Sequence, residues 1–429
     1  MSAFVVPARI VAPAAVAVAL ALACAAAPGV RAQTPDAAQG SSPSDGSSPA
    51  PAAGPARTVF TAAGPLQVER LATLEYPWGL AVLPDGRVLV TEKPGRLRIW
   101  ARGALSAPLG GVPEVAYRGR GDQGGLLDVA IDPDFARNRR VYLSFVEAAS
   151  PQPKDASNPP DARFADNLDT SDTVVRGGAV ARAVLDGDRL TGLRVIWRQL
   201  PKTAGRGHFG HRLAFGPDGM LYVTSGDRMR FDPAQRMDTN LGKVVRIAPD
   251  GGLPRDNPFA GRAGARGDVY SLGHRNVLAA AFQPSTGRLW AFEMGPLGGD
   301  ELNLVRAGAN HGWPRVSEGR HYDGTAIPAH SGATRYVAPA KTWTPVISPS
   351  GALFHDGAMI PAWKGDVLVG SLSGKGIVRL EVDGERVLDE ERIELGRRVR
   401  DLAQAADGAL LVVTDAAQGE LLRLAPAAR

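Results

Sequence analysis

The sequence predicts an all-β protein, a six-bladed β-propeller with long loops between its strands. Three observations predict it. Two short strands with alternating apolar residues surround a tight turn, a third strand usually follows, and no long amphipathic helical period is present. The strand pair recurs six times, at residues 78–92, 126–145, 213–227, 279–293, 351–371 and 402–415. Radial packing lets each unit bury both faces, which one hairpin cannot do alone.

The turns justify the strand pairs in chain order. Pro84-Asp85-Gly86 divides the first pair, Asp132-Pro133-Asp134 the second and Pro217-Asp218-Gly219 the third. Residues 284–287 turn the fourth pair, a longer insert turns the fifth, and Asp407-Gly408 turns the sixth. Asp accepts hydrogen bonds from the backbone of its own turn and Gly tolerates a positive φ, so Asp85, Asp218 and Asp407 are interpreted as turn formers.

Two further segments complete the predicted propeller domain, which spans residues 57–429. Residues 58–71 are expected to supply a strand that closes the last blade against the C-terminal strands. Residues 147–178 are rich in Pro, Asp and Asn, and they are long enough to form a functional loop over one rim. A β-sandwich fits less well, because it would give fewer, more evenly spaced strands without a repeated internal turn.

Residues 1–32 are interpreted as a secretory signal peptide. Arg9 precedes a stretch of Ala, Val and Leu over residues 10–28, and Val30-Arg31-Ala32 offers a small-residue cleavage pattern. The stretch is too rich in Ala for a convincing membrane span. Cys24, the only cysteine, lies within it and gives the alternative of a lipid anchor. The predicted location is the periplasm.

Composition limits the partners. Residues 33–56 consist mainly of Ser, Pro, Ala, Gly and Asp, and they are predicted to form a disordered linker. The chain is 44% hydrophobic and 22% charged, which is ordinary for a soluble domain. Its formal charge of +5 becomes +3 without Arg9 and Arg31, and no lysine-rich run is present, so no nucleic-acid partner is expected.

Polar clusters precede five of the strand pairs at equivalent positions. They occupy residues 121–125, 207–212, 273–276, 347–350 and 397–401. Loops at equivalent positions of a propeller meet at its central mouth, so we expect one funnel. Arg275, Arg398 and Arg400 would line it, and guanidinium groups suit an anionic, carboxylate-bearing ligand.

His208 is the predicted base at this mouth. Glycines stand close to it on both sides, and its imidazole titrates near neutral pH. Asp227 follows two short strands later, where a hairpin would return the chain toward His208. His211 lies three residues beyond His208, but no helix aligns the two histidines, so His211 is interpreted as structural.

A loop at residues 293–301 predicts a calcium site. It combines exposed backbone carbonyls with the acidic residues Asp300 and Glu301. Hard oxygen donors of this kind are the ligands that Ca²⁺ prefers.

These segments resemble the soluble PQQ-dependent glucose/aldose sugar dehydrogenase family, exported six-bladed propellers of the glucose/sorbosone dehydrogenase type. The resemblance extends from Trp78 to Asp415 with its order kept. Its most specific parts are Gly-His-Arg-Asn at 273–276, Gly-Pro-Leu-Gly-Gly-Asp-Glu at 295–301 and Asn-His-Gly-Trp-Pro at 310–314. The implied activity is oxidation of aldose sugars at the anomeric carbon, with hydride passing to PQQ and then electrons to an external acceptor.

The resemblance implies a role for each candidate residue. His208 would remove the proton from the anomeric hydroxyl, and Asp227 would orient the imidazole. PQQ would be held by Gln123, Arg275, Asn276, Arg398 and Arg400, with Lys375 as a further candidate. Ca²⁺ would be bound at Gly295, Pro296, Asp300 and Glu301. Gly295 and Pro296 would offer carbonyl oxygens to the ion, and Asp300 would support the site from behind.

Several positions depart from the family pattern. The lysine that the family places near the outgoing strand of the fifth blade has no direct counterpart, since Ser373 stands near its place and Lys375 is offset. His311 stands where the family more often has Tyr, beside a second, structural Ca²⁺ site. Phe209 and Val346 replace polar neighbours, which predicts a broader aldose range than glucose alone.

The chemistry has a physical basis apart from the resemblance. Oxidising a hydroxyl requires a base and an electron sink. Cleavage after Ala32 leaves no thiol, and no GxGxxG follows a strand, so the sink must be an imported cofactor. Two other functions stay open: a Ca²⁺-dependent lactone hydrolase and a non-catalytic carbohydrate- or protein-binding propeller. The protein is expected to be a monomer or a homodimer.

Overall fold

The computed structural model describes residues 57–158, 171–332 and 335–427. Within them, antiparallel strands build six sheets, and helical residues are confined to short turns such as α1 (Phe135–Asn138). None of the helices in these three ranges has the length and apolarity needed to cross a bilayer. The predicted signal peptide and linker, with Cys24, lie outside the described residues.

The strands of the first half are numbered in chain order. The described part of the chain begins with β1 (Arg57–Thr61) and β2 (Gly64–Leu74). The first blade consists of β3 (Pro77–Val82), β4 (Val88–Glu92), β5 (Arg96–Ala101) and β6 (Ala104–Leu105). The second consists of β7 (Leu126–Ile131), β8 (Arg140–Ala148), β9 (Arg176–Asp186) and β10 (Arg189–Arg198). The third consists of β11 (Gly210–Phe215), β12 (Leu221–Ser225), β13 (Lys243–Ile247) and β14 (Val269–Leu272).

The second half repeats the pattern. The fourth blade consists of β15 (Val277–Phe282), β16 (Leu289–Glu293), β17 (Asp300–Val305) and β18 (Lys341–Trp343). The fifth consists of β19 (Pro349–Phe354), β20 (Val367–Ser371), β21 (Gly376–Asp383) and β22 (Arg386–Glu394). The sixth contains β23 (Val399–Gln404), β24 (Leu410–Thr414) and β25 (Gly419–Pro426). Single 3₁₀ turns occur at Asp232–Gln235, His330–Gly332 and Pro361–Trp363.

The sixth blade joins the two ends of the domain. Its sheet has the order β1-β2-β25-β24-β23, so the first two strands join the last three through the pairing of β2 with β25. This confirms the closing strand predicted over residues 58–71. The inner strands β3, β7, β11, β15, β19 and β23 contact one another in a ring, with β23 returning to β3. The six-bladed propeller predicted from the repeats is therefore correct.

Apolar clusters fill the gaps between neighbouring blades. Each of the six gaps contains its own cluster. Leu97 and Phe145 belong to the cluster between the first and second blades, and Trp363 and Leu402 to that between the fifth and sixth. Full burial of one such side chain stabilises the fold by about 1.5–3 kcal/mol. The blades are therefore held by their flat faces, which leaves the connecting loops free for function.

The predicted turn formers occupy the turns as expected. Asp85 accepts a hydrogen bond from the backbone N of Arg87 (3.1 Å), and Asp218 accepts one from Met220 (3.0 Å). Asp407 makes the same bond with the backbone N of Ala409, at 3.1 Å. The interpretation of these aspartates as turn formers is confirmed.

A β-bulge marks the inner strand of every blade. The register with the second strand shifts near the start of β3, β7, β11, β15, β19 and β23. A bulge bends its strand and re-aims the neighbouring side chains. All six irregularities lie at the end of the strand that the polar loops precede.

Candidate active site

The loops at this end of the propeller meet in a cavity of about 610 Å³, here called the central cavity. Every blade, or the loop before it, contributes to its wall, through Trp78, Gln123, Phe209, Met294, Ser348 and Arg400. The volume lies within the range of about 300–1,000 Å³ that is usual for small-molecule sites. Four of the five polar loops compared in the sequence therefore line one cavity, and Arg275 of the fifth donates to the carbonyl oxygen of Met294 in its wall.

His208 and Asp227 form a buried pair beside the central cavity. The Nδ1 of His208 lies 2.7 Å from Oδ1 of Asp227, and Nε1 of Trp313 donates to Oδ2 at 2.8 Å. Burial opposes ionisation of Asp227, but His208, Arg275 and Trp313 lower its pKa below the ordinary value. An ionised carboxylate only accepts hydrogen bonds, so Nδ1 of His208 carries the proton and Nε2 carries the lone pair.

The charge state of His208 follows from its surroundings. Burial, and then the positive charge of Arg275, lowers the pKa of His208 below its ordinary value, against the attraction of Asp227. The imidazole is therefore neutral at pH 7 and able to accept a proton. A base of this kind contributes about 10²–10⁴-fold to a reaction rate.

Glycine and glutamine hold the backbone of His208 in position. His208 has a φ of 51°, in the left-handed region, and its backbone N donates to Oε1 of Gln123 at 2.8 Å. A Cβ on Gly226 would lie 2.2 Å from the carbonyl oxygen of His208. Only glycine at position 226 lets β12 continue toward Asp227 so close to the histidine. Gln123 thus lines the cavity and also positions His208.

Arg275 and Asn276 lie beside this pair. Nη1 of Arg275 donates to the carbonyl oxygens of Met294 and Gly295, both at 2.9 Å, and its guanidinium lies 5.4 Å from the ring centroid of Trp313. Nε of Arg275 and Oδ1 of Asn276 are buried and have no hydrogen-bond partner within the described residues. Buried polar atoms are normally paired, so both atoms suit a bound polar ligand.

Arg398 and Arg400 share one carboxylate in the cavity wall. Arg398 contacts Asp415 at 2.8 Å and Arg400 contacts it at 2.9 Å. Burial opposes ionisation of Asp415, but Arg400 and Arg398 lower its pKa well below the ordinary value. The three side chains therefore carry one net positive charge. Nε of Arg400 is a further buried donor without a partner among the described residues.

Lys375 requires a correction. It lies in the turn between β20 and β21, is exposed, and is not among the residues that line the central cavity. Its carbonyl oxygen accepts hydrogen bonds from the backbone of Leu395 and Arg397. Lys375 stands in an exposed turn just before β21 begins at Gly376, and this could not be determined from the offset in the sequence.

Lys93 is a cavity residue that the sequence interpretation missed. It lines the central cavity from the turn between β4 and β5, and its Nζ donates to the carbonyl of Asp122. The repeat itself indicates Lys93 as a cavity residue. Asp227, Gly295 and Asp415 all follow the second strand of their blades, and Lys93 occupies that place in the first blade. Comparison of the loops after the second strands, as well as those before the first, would have found it.

The acidic part of the predicted calcium site is not supported by the geometry. Oδ1 of Asp300 accepts a hydrogen bond from the backbone N of Gly295 (2.8 Å), and Oδ2 accepts from the backbone of Ile347 (2.8 Å) and Ser348 (2.6 Å). Burial raises the pKa of Asp300 to about 6. Asp300 thus supports the loop from behind, since both of its oxygens accept hydrogen bonds from the backbone.

Glu301 belongs to a separate buried cluster. Its Oε2 accepts a hydrogen bond from Asn303 (3.1 Å), which also donates to Glu293 (2.8 Å). Burial, and then the carboxylate of Glu293, raises the pKa of Glu301 well above its ordinary value. His311 lies beside it, 3.2 Å from Oδ1 of Asn303. Among the described residues no three His, Cys, Asp or Glu side chains are placed to hold a metal ion.

The carbonyl oxygens of the same loop have different environments. That of Gly295 accepts a hydrogen bond from Arg275 at 2.9 Å. The carbonyl of Pro296 accepts no backbone or side-chain hydrogen bond within the described part of the chain. Two carbonyls match the donor type that Ca²⁺ prefers but supply few of its six to eight usual ligands.

His211 is a structural residue. A Cβ on Gly178 would lie 1.5 Å from Nε2 of His211, so the imidazole packs directly on that glycine. The ring also lies 5.8 Å from Trp197, and burial lowers the pKa of His211 to about 3. It is therefore neutral and packed between blades, consistent with the sequence interpretation.

Comparisons with known proteins agree with this arrangement. Residues 74–423 match the Glucose / Sorbosone dehydrogenase family. The aldose sugar dehydrogenase YliI of Escherichia coli is 37% identical over 377 residues, which cover 86% of this chain and 95% of that protein. The chain therefore belongs to the glucose/sorbosone dehydrogenase family.

Two solved structures are particularly informative. The soluble aldose sugar dehydrogenase of E. coli, in its apo-form, has a TM-score of 0.75 at 37% identity and covers 84% of this chain and 100% of that one. The PQQ-bound form of the aldose sugar dehydrogenase of Streptomyces coelicolor has a TM-score of 0.65 at 29% identity, over 84% of this chain and 98% of that one. This protein is similar to both over nearly their whole length.

Proposed function

We propose that this protein is a PQQ-dependent dehydrogenase that oxidises aldose sugars at the anomeric carbon to lactones, with His208 as the general base. The observation that carries the proposal is the buried His208/Asp227 pair beside an arginine-lined cavity. When bound, PQQ supplies the electron sink, because its ortho-quinone accepts the hydride that leaves the anomeric carbon. The PQQ-bound relative supports this choice of cofactor.

His208 performs the proton transfer in this proposal. Neutral Nε2 accepts the proton of the anomeric hydroxyl, so the imidazole becomes a cation as the C–H bond breaks. Asp227, 2.7 Å from Nδ1, stabilises that cation and fixes the orientation of the ring. Trp313 holds the other carboxylate oxygen, so Asp227 cannot rotate away.

The residues present fit a tricarboxylate. PQQ bears three carboxylates, and Arg398 and Arg400 offer guanidinium donors in the cavity wall. Arg275, Asn276 and Arg400 each keep a buried polar atom without a partner among the described residues. Gln123 lies in the same wall. We assign these five residues to cofactor binding and omit Lys375.

Calcium is proposed with a smaller ligand set than the sequence suggested. The carbonyls of Gly295 and Pro296 would hold the ion, and oxygens of the cofactor and water would complete its coordination. Asp300 would keep the loop in place through its three backbone hydrogen bonds. A bound cation would stabilise negative charge that develops on the quinone.

The remaining expectations concern the substrate and the cellular setting. The apolar residues Phe209 and Val346 offer no polar group to select one sugar hydroxyl, which supports a broad aldose range. Export to the periplasm and electron transfer to an external acceptor complete the proposal.

The test reconstitutes the purified apo-protein with PQQ and Ca²⁺. Reduction of an artificial dye is followed with a panel of aldoses, and the sugar product is identified by mass spectrometry. We expect dye reduction that requires PQQ and yields lactones from several aldoses. Absence of dye reduction with every aldose would overturn the proposal. Hydrolysis of added lactones in place of dye reduction would favour the lactone hydrolase.

A further inference from the structure

Lys93 brings an ammonium group into the wall of the central cavity. The residue is only 7% exposed, although lysine is among the side chains most seldom buried. Its Nζ donates to the carbonyl of Asp122 and lies 5.9 Å and 5.2 Å from the ring centroids of Tyr76 and Tyr117. A carbonyl and two aromatic rings thus fix a cation at one position in the cavity.

This cation differs from the neighbouring arginines in its partners. Arg398 and Arg400 are both bound to Asp415, whereas no carboxylate forms an ion pair with Lys93 among the described residues. An ammonium group has three N–H donors, and the Asp122 carbonyl occupies one of them. A buried charge is costly unless it is paired, so the position favours an anionic ligand.

We propose that Lys93 binds a carboxylate of the cofactor, alongside Arg398 and Arg400. The inference rests on the proposed function, because PQQ is the tricarboxylate concerned. The first blade then supplies a cofactor contact from the turn after its second strand. The sixth blade supplies the arginines, so the first and sixth blades, which are neighbours, hold the same ligand.

The charge on Lys93 depends on pH within an accessible range. The groups that face it are Asp122, Asp415, Arg400, Tyr76 and Tyr117. Burial, and then Arg400, lowers the pKa of Lys93 to about 8, against the attraction of Asp415 and Asp122. Lys93 is therefore charged below that pH and neutral above it. Burial raises the pKa of Tyr117 to about 12, so its hydroxyl does not titrate in the same range.

The test measures PQQ binding to the apo-protein rather than activity. Quenching of tryptophan fluorescence, to which Trp78 in the cavity wall contributes, gives the dissociation constant of PQQ. Wild-type protein is compared with Lys93→Met, Lys93→Arg and the matched control Lys375→Met at about pH 7 and about pH 9.5, on either side of the pKa. Lys375 suits the control because it is an exposed lysine outside the cavity.

The expected results distinguish an effect of the Lys93 charge on PQQ binding from an effect of its packing. Lys93→Met should weaken PQQ binding about 10- to 100-fold at the lower pH, the usual effect of losing a hydrogen bond to a charged group. Wild-type binding should weaken as pH rises and converge on that of Lys93→Met, while Lys93→Arg should resist the rise because arginine stays charged. Lys375→Met should match the wild type. Equal thermal unfolding by circular dichroism confirms that each variant is folded.

Failure of this inference can be distinguished from failure of the proposed function. Wild-type binding of PQQ with unchanged affinity in Lys93→Met at both pH values would refute the role of Lys93 and leave the proposed function standing. If wild-type protein itself does not bind PQQ, the proposed function fails, and this inference fails with it.

Discussion

At the scale of single residues, burial decides the ionisation of the site. His208 is held neutral by burial and by Arg275, while Asp227 is held ionised by His208, Arg275 and Trp313. The two opposite shifts produce a base and a positioning carboxylate from adjacent groups. The left-handed backbone of His208 costs free energy that the bonds to Gln123 and Asp227 offset.

The variant Asp227→Asn tests the role of Asp227 as the carboxylate that positions and stabilises the base His208. We expect the kcat of the PQQ-loaded enzyme to fall on the order of 10²–10⁴-fold, because the imidazolium loses its stabilising charge. In the wild type, kcat should fall only below about pH 6.5, since the pKa of His208 lies below that ordinary value. The variant should move this acidic decline to still lower pH, because Asp227 favours the protonated ring. An unchanged plateau and an unchanged decline would contradict the assignment.

At the scale of elements, the blades are regular where the sequence repeats and irregular where the site is built. The Pro-Asp-Gly turns could be predicted, because each residue has a local reason to occupy its turn. The bulge near the start of each inner strand could not, because it depends on register between strands.

The candidate site was predictable to the extent that local patterns define it. His208 and Asp227 were found because a single hairpin joins them. Lys93 follows the second strand of its blade, as Asp227 does, and could have been found from the repeat, but its contact with the Asp122 carbonyl on another loop could not. Glu301 has the right chemistry for calcium but alternates on β17 toward the Asn303 cluster. Ligand type is visible in a sequence, whereas the direction of a side chain in a bulged sheet is set by tertiary contacts.

At the scale of the whole molecule, one buried arginine connects the blades beneath the central cavity. Arg212 on β11 contacts Asp128 at 3.2 Å and Asp401 at 3.0 Å. It donates to backbone carbonyls of Leu278 and Ser350 (2.7 and 2.9 Å), and it lies 4.0 Å from the ring centroid of Trp78. These partners belong to the inner strands of the five other blades. Arg212 therefore links the inner ring at its centre.

Arg212→Met should destabilise the propeller. The variant leaves Asp128 and Asp401 buried without their cation, a loss that typically costs about 3–5 kcal/mol. Urea unfolding followed by circular dichroism measures the difference. The control is Arg137→Met, which removes an exposed arginine that pairs with Asp134 on the surface, and its unfolding midpoint should match the wild type. Equal midpoints for both variants would show that Arg212 does not hold the ring.

The most direct test of the central claim is one turnover of the PQQ-loaded enzyme with excess aldose and no acceptor, followed by the absorbance of the cofactor. His208→Asn is the informative variant, because asparagine tolerates the left-handed backbone at this position. His355→Asn is the control, since His355 lies in the turn between β19 and β20, away from the central cavity. We predict that His208→Asn binds PQQ but reduces it at least about 10²-fold more slowly, while the control reacts at the wild-type rate. Reduction of PQQ at the wild-type rate in His208→Asn would contradict the account.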